Sequence, residues 1–243
     1  MLLSLGRLSV RDLWISYQLL LVISLLGVVG LAAPLAGVWL PRLLDPTAPV
    51  AALPQALTWY GISLGIASVV VAVVAARSMA VNRTRGTAAW LLTAPVSRAS
   101  FFVGWMFGVS AAVLAGMVVS AMTAWFTFAS LGAAADAARF LSAVLAATAY
   151  LVAAGTIGLV CGSAALTRVR ASIVAAVAVA ALAVAAWVLP LLPWLPSAAT
   201  VRFNDLVIDP AGVGIALQLF GASIVLIGIA GYVGTALLDR AEL

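Results

Sequence analysis

Few side chains in this sequence can do covalent or acid–base chemistry, and their types exclude more than they allow. All twelve basic residues are Arg; Lys and His are absent, and Cys161 is the single cysteine. A P-loop needs Lys to reach the β- and γ-phosphates, so an ordinary nucleotide-hydrolysing loop is ruled out, as is Schiff-base chemistry. Without His the chain lacks the commonest metal ligand and the usual acid–base group near neutral pH. A lone Cys161 makes neither an internal disulfide nor a thiolate cage, and its apolar neighbours mark it as a small packing residue. The seven acids (Asp12, Asp45, Asp136, Asp205, Asp209, Asp239 and Glu242) are scattered between apolar runs. An intramembrane protease or lipid transferase would need His, Lys or paired acids at membrane depth. The chain is therefore expected to be no enzyme and to hold no metal or cofactor of its own.

What remains is a cluster of guanidinium groups around an apolar knob. Residues 82–98 read Asn-Arg-Thr-Arg-Gly-Thr-Ala-Ala-Trp-Leu-Leu-Thr-Ala-Pro-Val-Ser-Arg, with Arg77, Arg83, Arg85 and Arg98 in or beside them and no acid among them. A short helix is predicted to start near Asn82 or Thr84, either of which can cap free backbone N–H groups. Pro95 disfavours helical geometry at Ala94, so that helix should stop at about Thr93. Ser97 or Ser100 can cap the next helix. Trp90, Leu91 and Leu92 form the knob, which either plugs into a protein groove or rests on lipid headgroups.

The elements that must carry this loop are membrane spans. The composition is 66% hydrophobic and 8% charged, with mean hydropathy +1.26, which places the chain in a bilayer. Six spans read off at about 14–39, 57–77, 101–130, 140–166, 171–189 and 212–238, each near or above the ~20 residues that cross the hydrocarbon. Residues 1–13 suit an amphipathic segment on the membrane surface. Gly30-Leu31-Ala32-Ala33 has the small residues of a signal-peptide cleavage site, but the apolar run continues to Trp39 and Asp12 and Trp14 precede it. Spans and short loops use up residues 1–243, so a single all-α transmembrane domain is expected. Counting Arg by loop gives nine on one side (Arg7, Arg11, Arg77, Arg83, Arg85, Arg98, Arg168, Arg170 and Arg240) and three on the other (Arg42, Arg139 and Arg202). The positive-inside rule then puts both termini and the 82–98 loop in the cytoplasm. The net charge of +5 follows this membrane pattern and does not point to nucleic acid.

Within the spans Gln18 and Gln218 are the strongest polar groups. Ion-driven carriers usually keep ionisable groups at membrane depth, so an external energy source is favoured. The third span carries a ladder of small residues, Gly104, Gly108, Ala112, Gly116, Ser120 and Ala124, expected to pack closely against another helix. Gly61/Gly65 and Gly158/Gly162 read as ordinary close-packing pairs. Between the last two spans Pro190, Pro193 and Pro196 recur around Trp194, followed by Arg202, Asn204, Asp205 and Asp209. That spacing stops a helix and prevents a simple hairpin.

Gly86-Thr87 followed by Leu91-Leu92-Thr93-Ala94-Pro95-Val96-Ser97-Arg98 resembles the signature of bacterial ABC exporter permeases of type two (ABC-2-type, type V exporters). The resemblance implies a six-span permease in a bacterial-type plasma membrane, paired with a second permease subunit, identical or homologous, and with ABC ATPase subunits that hold ATP and Mg. It implies that Asn82, Arg83, Arg85, Gly86, Thr87, Trp90, Leu91, Leu92 and Pro95 belong to a coupling helix that docks into the ATPase. It also implies short re-entrant helices between spans 5 and 6, with Pro190, Pro193, Trp194 and Pro196 at an outer gate; Leu192-Pro193-Trp194-Leu195 is similar to the permease of nitrous-oxide-reductase maturation systems. Family members usually carry Glu where this chain has Asn82, Thr84 and Ala89, so salt bridges from those positions cannot form. An uncharged lumen favours a lipid, a hydrophobic antibiotic or a lipid-linked molecule as substrate. The alternatives are a role in cofactor maturation, or a non-transporting assembly or immunity scaffold.

Overall fold

The computed structural model describes residues 18–44, 51–84, 98–132, 135–165, 167–188 and 194–240. Among the described residues the chain is all-helical. Six long helices, α1 (Gln18–Leu44), α2 (Ala52–Thr84), α3 (Arg98–Ser130), α4 (Ala137–Ala164), α5 (Arg168–Val188) and α8 (Gly212–Arg240), are joined by two short ones, α6 (Ala198–Val201) and α7 (Phe203–Ile208). All six long helices are apolar and long enough to cross a membrane. Helix is what such sequences must form there, because hydrocarbon offers backbone N–H and C=O groups no other partner.

Two boundaries depart from expectation for identifiable reasons. α1 runs through Pro34 and Pro41 to Leu44 and does not stop near Trp39. Each proline frees a carbonyl one turn back, which a membrane helix tolerates when neighbouring elements cover it. α2 continues past Arg77 to Thr84, so Asn82 and Thr84 are helical residues of its last turn and not the caps of a separate helix. Nothing local ends the helix sooner, since residues 78–84 hold neither Gly nor Pro. Ser100 likewise lies inside the first turn of α3.

α4 is the hub. It packs against α2, α3, α5 and α8 and against both short helices, and 78% of its apolar window is buried, against 22% for α5 and for α8. Close approach is built on glycine. A methyl group added at Gly158 would run into the Ala72 carbonyl of α2, and one at Gly162 would lie 2.5 Å from the Ala76 carbonyl oxygen. These rising pairs make α2 and α4 parallel. α1 and α3 are also parallel, with Gly116 over Leu26 and Gly30 against Ser120 and Thr123, whereas Phe102 of α3 meets Gly234 of α8 in the antiparallel sense.

The alternation gives the bundle two unlike ends. The upper end carries Arg42, Arg139 and Arg202; the lower end carries Arg77, Arg83, Arg98, Arg168, Arg170 and Arg240. Residues 56–76 of α2 are uncharged and cover about 31 Å at 1.5 Å per residue, close to the ~30 Å of a hydrocarbon core.

Candidate functional site

Between α5 and α8 the chain turns back into the upper end of the bundle. Ala198, Ala199, Thr200, Phe203, Leu206 and Val207 of α6 and α7 are buried against α2, α4 and α8. Apolar burial alone does not hold a segment this short, so each turn is also tied by a polar bond. The Ser197 hydroxyl donates to the Leu182 carbonyl of α5 at 2.6 Å, and the Thr200 hydroxyl to the Ser197 carbonyl at 3.0 Å. Arg139 Nη1 at the start of α4 donates to the Ile208 carbonyl at 3.1 Å. Asp136 caps α4 by accepting the Arg139 N–H at 2.9 Å, which fixes the turn from which that guanidinium reaches.

The depth of the segment follows from its contact with α2. A Cβ at Gly61 would lie 2.5 Å from the Thr200 carbonyl oxygen and 2.7 Å from the Phe203 Cβ. One at Gly65 would lie 3.6 Å from the Thr200 hydroxyl oxygen. Counted from residue 56, these glycines sit about 8 and 14 Å along the helix. The segment therefore dips below the upper edge of the apolar stretch.

Tyr60 is the centre of this region. Its hydroxyl pairs with the Ser120 hydroxyl of α3 at 3.1 Å. Its ring meets Phe203 of α7 edge-on at 5.1 Å, Phe128 of α3 edge-on at 6.3 Å, and Phe140 of α4 in a stacked arrangement at 6.5 Å. Phe140 in turn meets Phe128 at 5.7 Å, Phe203 at 6.1 Å and Trp125 at 5.4 Å. Edge-to-face pairs add about 0.5–1.5 kcal/mol each beyond the area they bury. Four elements are thus locked where the short helices α6 and α7 pack into the bundle.

The residues singled out by sequence distribute as follows. Asn82 and Arg83 end α2; Arg85, Gly86, Thr87, Trp90, Leu91, Leu92 and Pro95 lie outside the described residues. Gly104, Gly108, Ala112, Gly116, Ser120 and Ala124 all lie on the buried side of α3, and Gly116 faces α1, where a Cβ would come 2.6 Å from Leu26 Cδ1 and 3.4 Å from Ile23 Cα. Pro190 and Pro193 lie outside the described residues; Trp194 is exposed and Pro196 half-buried. Sequence reasoning missed Tyr60, Phe140 and Phe203. The Gly61/Gly65 pair beside Tyr60 was the available signal, but it names no partner. No three His, Cys, Asp or Glu side chains gather to suit a metal ion among the described residues.

A family model for ABC-2 family transporter proteins matches residues 47–206. That is about two thirds of the chain, from just before α2 to within α7. The chain belongs to the ABC-2 transporter family. No curated protein matches it. As an ABC-2 permease the chain is a multi-pass membrane protein, and the family implies an ABC ATPase as partner. The matched range includes the loop between α2 and α3 and the Gly61–Thr200 contact.

Proposed function

We propose that this permease moves a hydrophobic or amphipathic molecule out of the cell, driven by ATP hydrolysis on a separate ATPase chain. Family membership over residues 47–206 carries the reading. Two permease subunits, identical or homologous, enclose the pathway. The lower end faces the cytoplasm, since six of the nine Arg residues among the described residues belong to it. The loop between α2 and α3, with Trp90, Leu91 and Leu92 as its apolar knob, docks into the ATPase. The segment from Trp194 to Asp209 closes the outer side. With no Asp, Glu, Lys, Arg or His in residues 56–76 of α2 or 141–162 of α4, the walls carry no charge to hold a charged substrate, and a lipid, a hydrophobic drug or a lipid-linked molecule fits best.

The test is Trp90→Ala in the presence of the ATPase. An aromatic side chain buries about 150–250 Å²; at ~25 cal/mol/Å² half-burial contributes roughly 2–3 kcal/mol, before the costs of association. Pull-down of the ATPase should weaken by about ten- to a hundredfold, and substrate-stimulated hydrolysis should be lost. Trp39→Ala, at an exposed site near the upper end of α1, should change neither. Full docking and coupled turnover in Trp90→Ala would reduce the loop to a membrane anchor. A second reading is a non-transporting assembly or immunity subunit. It predicts that no ATPase co-purifies with the unmodified protein.

A further inference from the structure

Tyr60 and Tyr150 are both fully buried, and their hydroxyls fare differently. That of Tyr60 pairs with Ser120 at 3.1 Å, whereas that of Tyr150, on α4, has no hydrogen-bond partner among the described residues. A packed helix core gives an unpaired hydroxyl no bulk water to bond, so such a group is retained at a cost. Phe would fill nearly the same space without it. The Ser68 hydroxyl of α2 lies beside that of Tyr150, but outside hydrogen-bonding distance or angle. Ser68 is itself fully buried and donates its proton to the Gly65 carbonyl of its own helix at 2.6 Å. Its oxygen can still accept.

We propose that Tyr150 and Ser68 form a latch between α4 and α2, open in this conformation and closed in a second one, where the Tyr150 hydroxyl donates to Ser68. The proposal rests on the transport function proposed above, which requires two states. The seam beneath the latch allows it to close. Gly158 and Gly162 lay α4 on the α2 backbone at Ala72 and Ala76. Tyr150 stands about two turns above Gly158, and Ser68 about one turn above Ala72. With no side chain at either glycine, α4 can shift along α2 without a knob having to climb out of a hole. Small sliding of packed helices is an ordinary form of switching. Such a shift brings the two hydroxyls into bonding geometry, and Ser68 keeps its bond to Gly65 because it accepts while it donates. A trapped water is the competing partner. It would need two to four polar groups, and Ser68 can offer it only a lone pair.

Ultraviolet resonance Raman spectra report whether a tyrosine hydroxyl is hydrogen-bonded, and the unmodified protein minus Tyr150→Phe isolates the Tyr150 signal. In the purified full chain that signal should be that of an unbonded phenol, and Tyr150→Phe should melt no lower than its parent. With the ATPase and a non-hydrolysable ATP analogue bound, the signal should become that of a donor, and Ser68→Ala should abolish the change. Affinity of the complex for the analogue should weaken about threefold to twentyfold in Tyr150→Phe or Ser68→Ala, and no further in the double variant. A donor signal or a lower melting temperature without nucleotide would mean that Tyr150 is already paired, by Ser68 or by a trapped water. That result would refute the latch and leave the transport function intact. An unbonded signal that persists with the analogue bound would also refute it, as would a change that survives Ser68→Ala. Failure of the ATPase to bind would remove the transport function, and the latch with it.

Discussion

Tyr60 does two jobs that can be separated by substitution. Its hydroxyl holds α3 through Ser120, and its ring holds α7 through Phe203. Hydrogen bonds between membrane helices average about 0.6 kcal/mol and reach about 1.7. Tyr60→Phe keeps the ring cluster and should cost an amount in that range, read as a small fall in thermal stability of the detergent-solubilised protein. Gly61→Ala should cost more, about 1–3 kcal/mol, as overpacking does, because its new methyl would stand 2.5 Å from a backbone carbonyl oxygen that has no side-chain freedom to yield. If Gly61→Ala is as stable as the parent, the α6–α7 segment does not seat on α2 as described. Close packing at Gly61 was readable from the sequence; its partner Thr200 and the Tyr60 cluster were not. Tyr60 and Phe203 are far apart along the chain, and hydropathy treats an aromatic on a lipid face and one in a core alike.

Among the helices, the glycines sort into those that touch and those that do not. Gly158 and Gly162 bring α4 onto the backbone of α2, whereas Gly214, Gly221 and Gly228 of α8 have nothing within 4 Å of a built Cβ. Gly158→Leu should therefore force α2 and α4 apart and abolish assembly. Gly214→Ala should be neutral or stabilising by up to about 1 kcal/mol, the usual helical gain. Monodispersity on size exclusion, with melting temperature, checks both. Six spans were legible because hydrocarbon selects long apolar runs. Their ends were less so: the first span was read to end near Trp39 but α1 continues through Pro41 to Leu44, and Arg77 looks like an end but is passed by α2. The ladder on α3 was visible as a pattern of small residues. That it faces α1 at Gly116 depends on how the helices are arranged, which no local pattern encodes.

For the whole molecule the testable quantity is orientation. With Cys161 replaced by Ala, a cysteine at Asp136 or Asp205 should react with a membrane-impermeant reagent added outside intact cells. A cysteine at Arg85 or Arg240 should react only after permeabilisation. Labelling of the Arg85 position from outside would invert the bundle and place the α2–α3 loop beyond the reach of any cytoplasmic ATPase.

The length of α2 has a mechanical consequence. It is one helix of 33 residues with no proline after its first turn, clamped near its upper end at Tyr60 and Gly61. A stiff rod gripped near one end is a lever, and α4, which sits on its backbone at Ala72 and Ala76 through Gly158 and Gly162, must tilt with it. Thr84 lies about 35 Å from the grip and Ala52 about 13 Å on the other side. A push of ~3 Å at Thr84 would tilt the rod by about 5° and swing Ala52 by about 1 Å in the opposite direction, if the clamp acts as the fulcrum. Spin labels at the two ends, each paired with one on α8, would register opposite displacements on ATP binding. Displacement of both ends in the same direction would mean that the rod slides and that the clamp does not hold. The gearing also sets a limit, because motion delivered below the membrane reaches the top of α2 reduced roughly threefold.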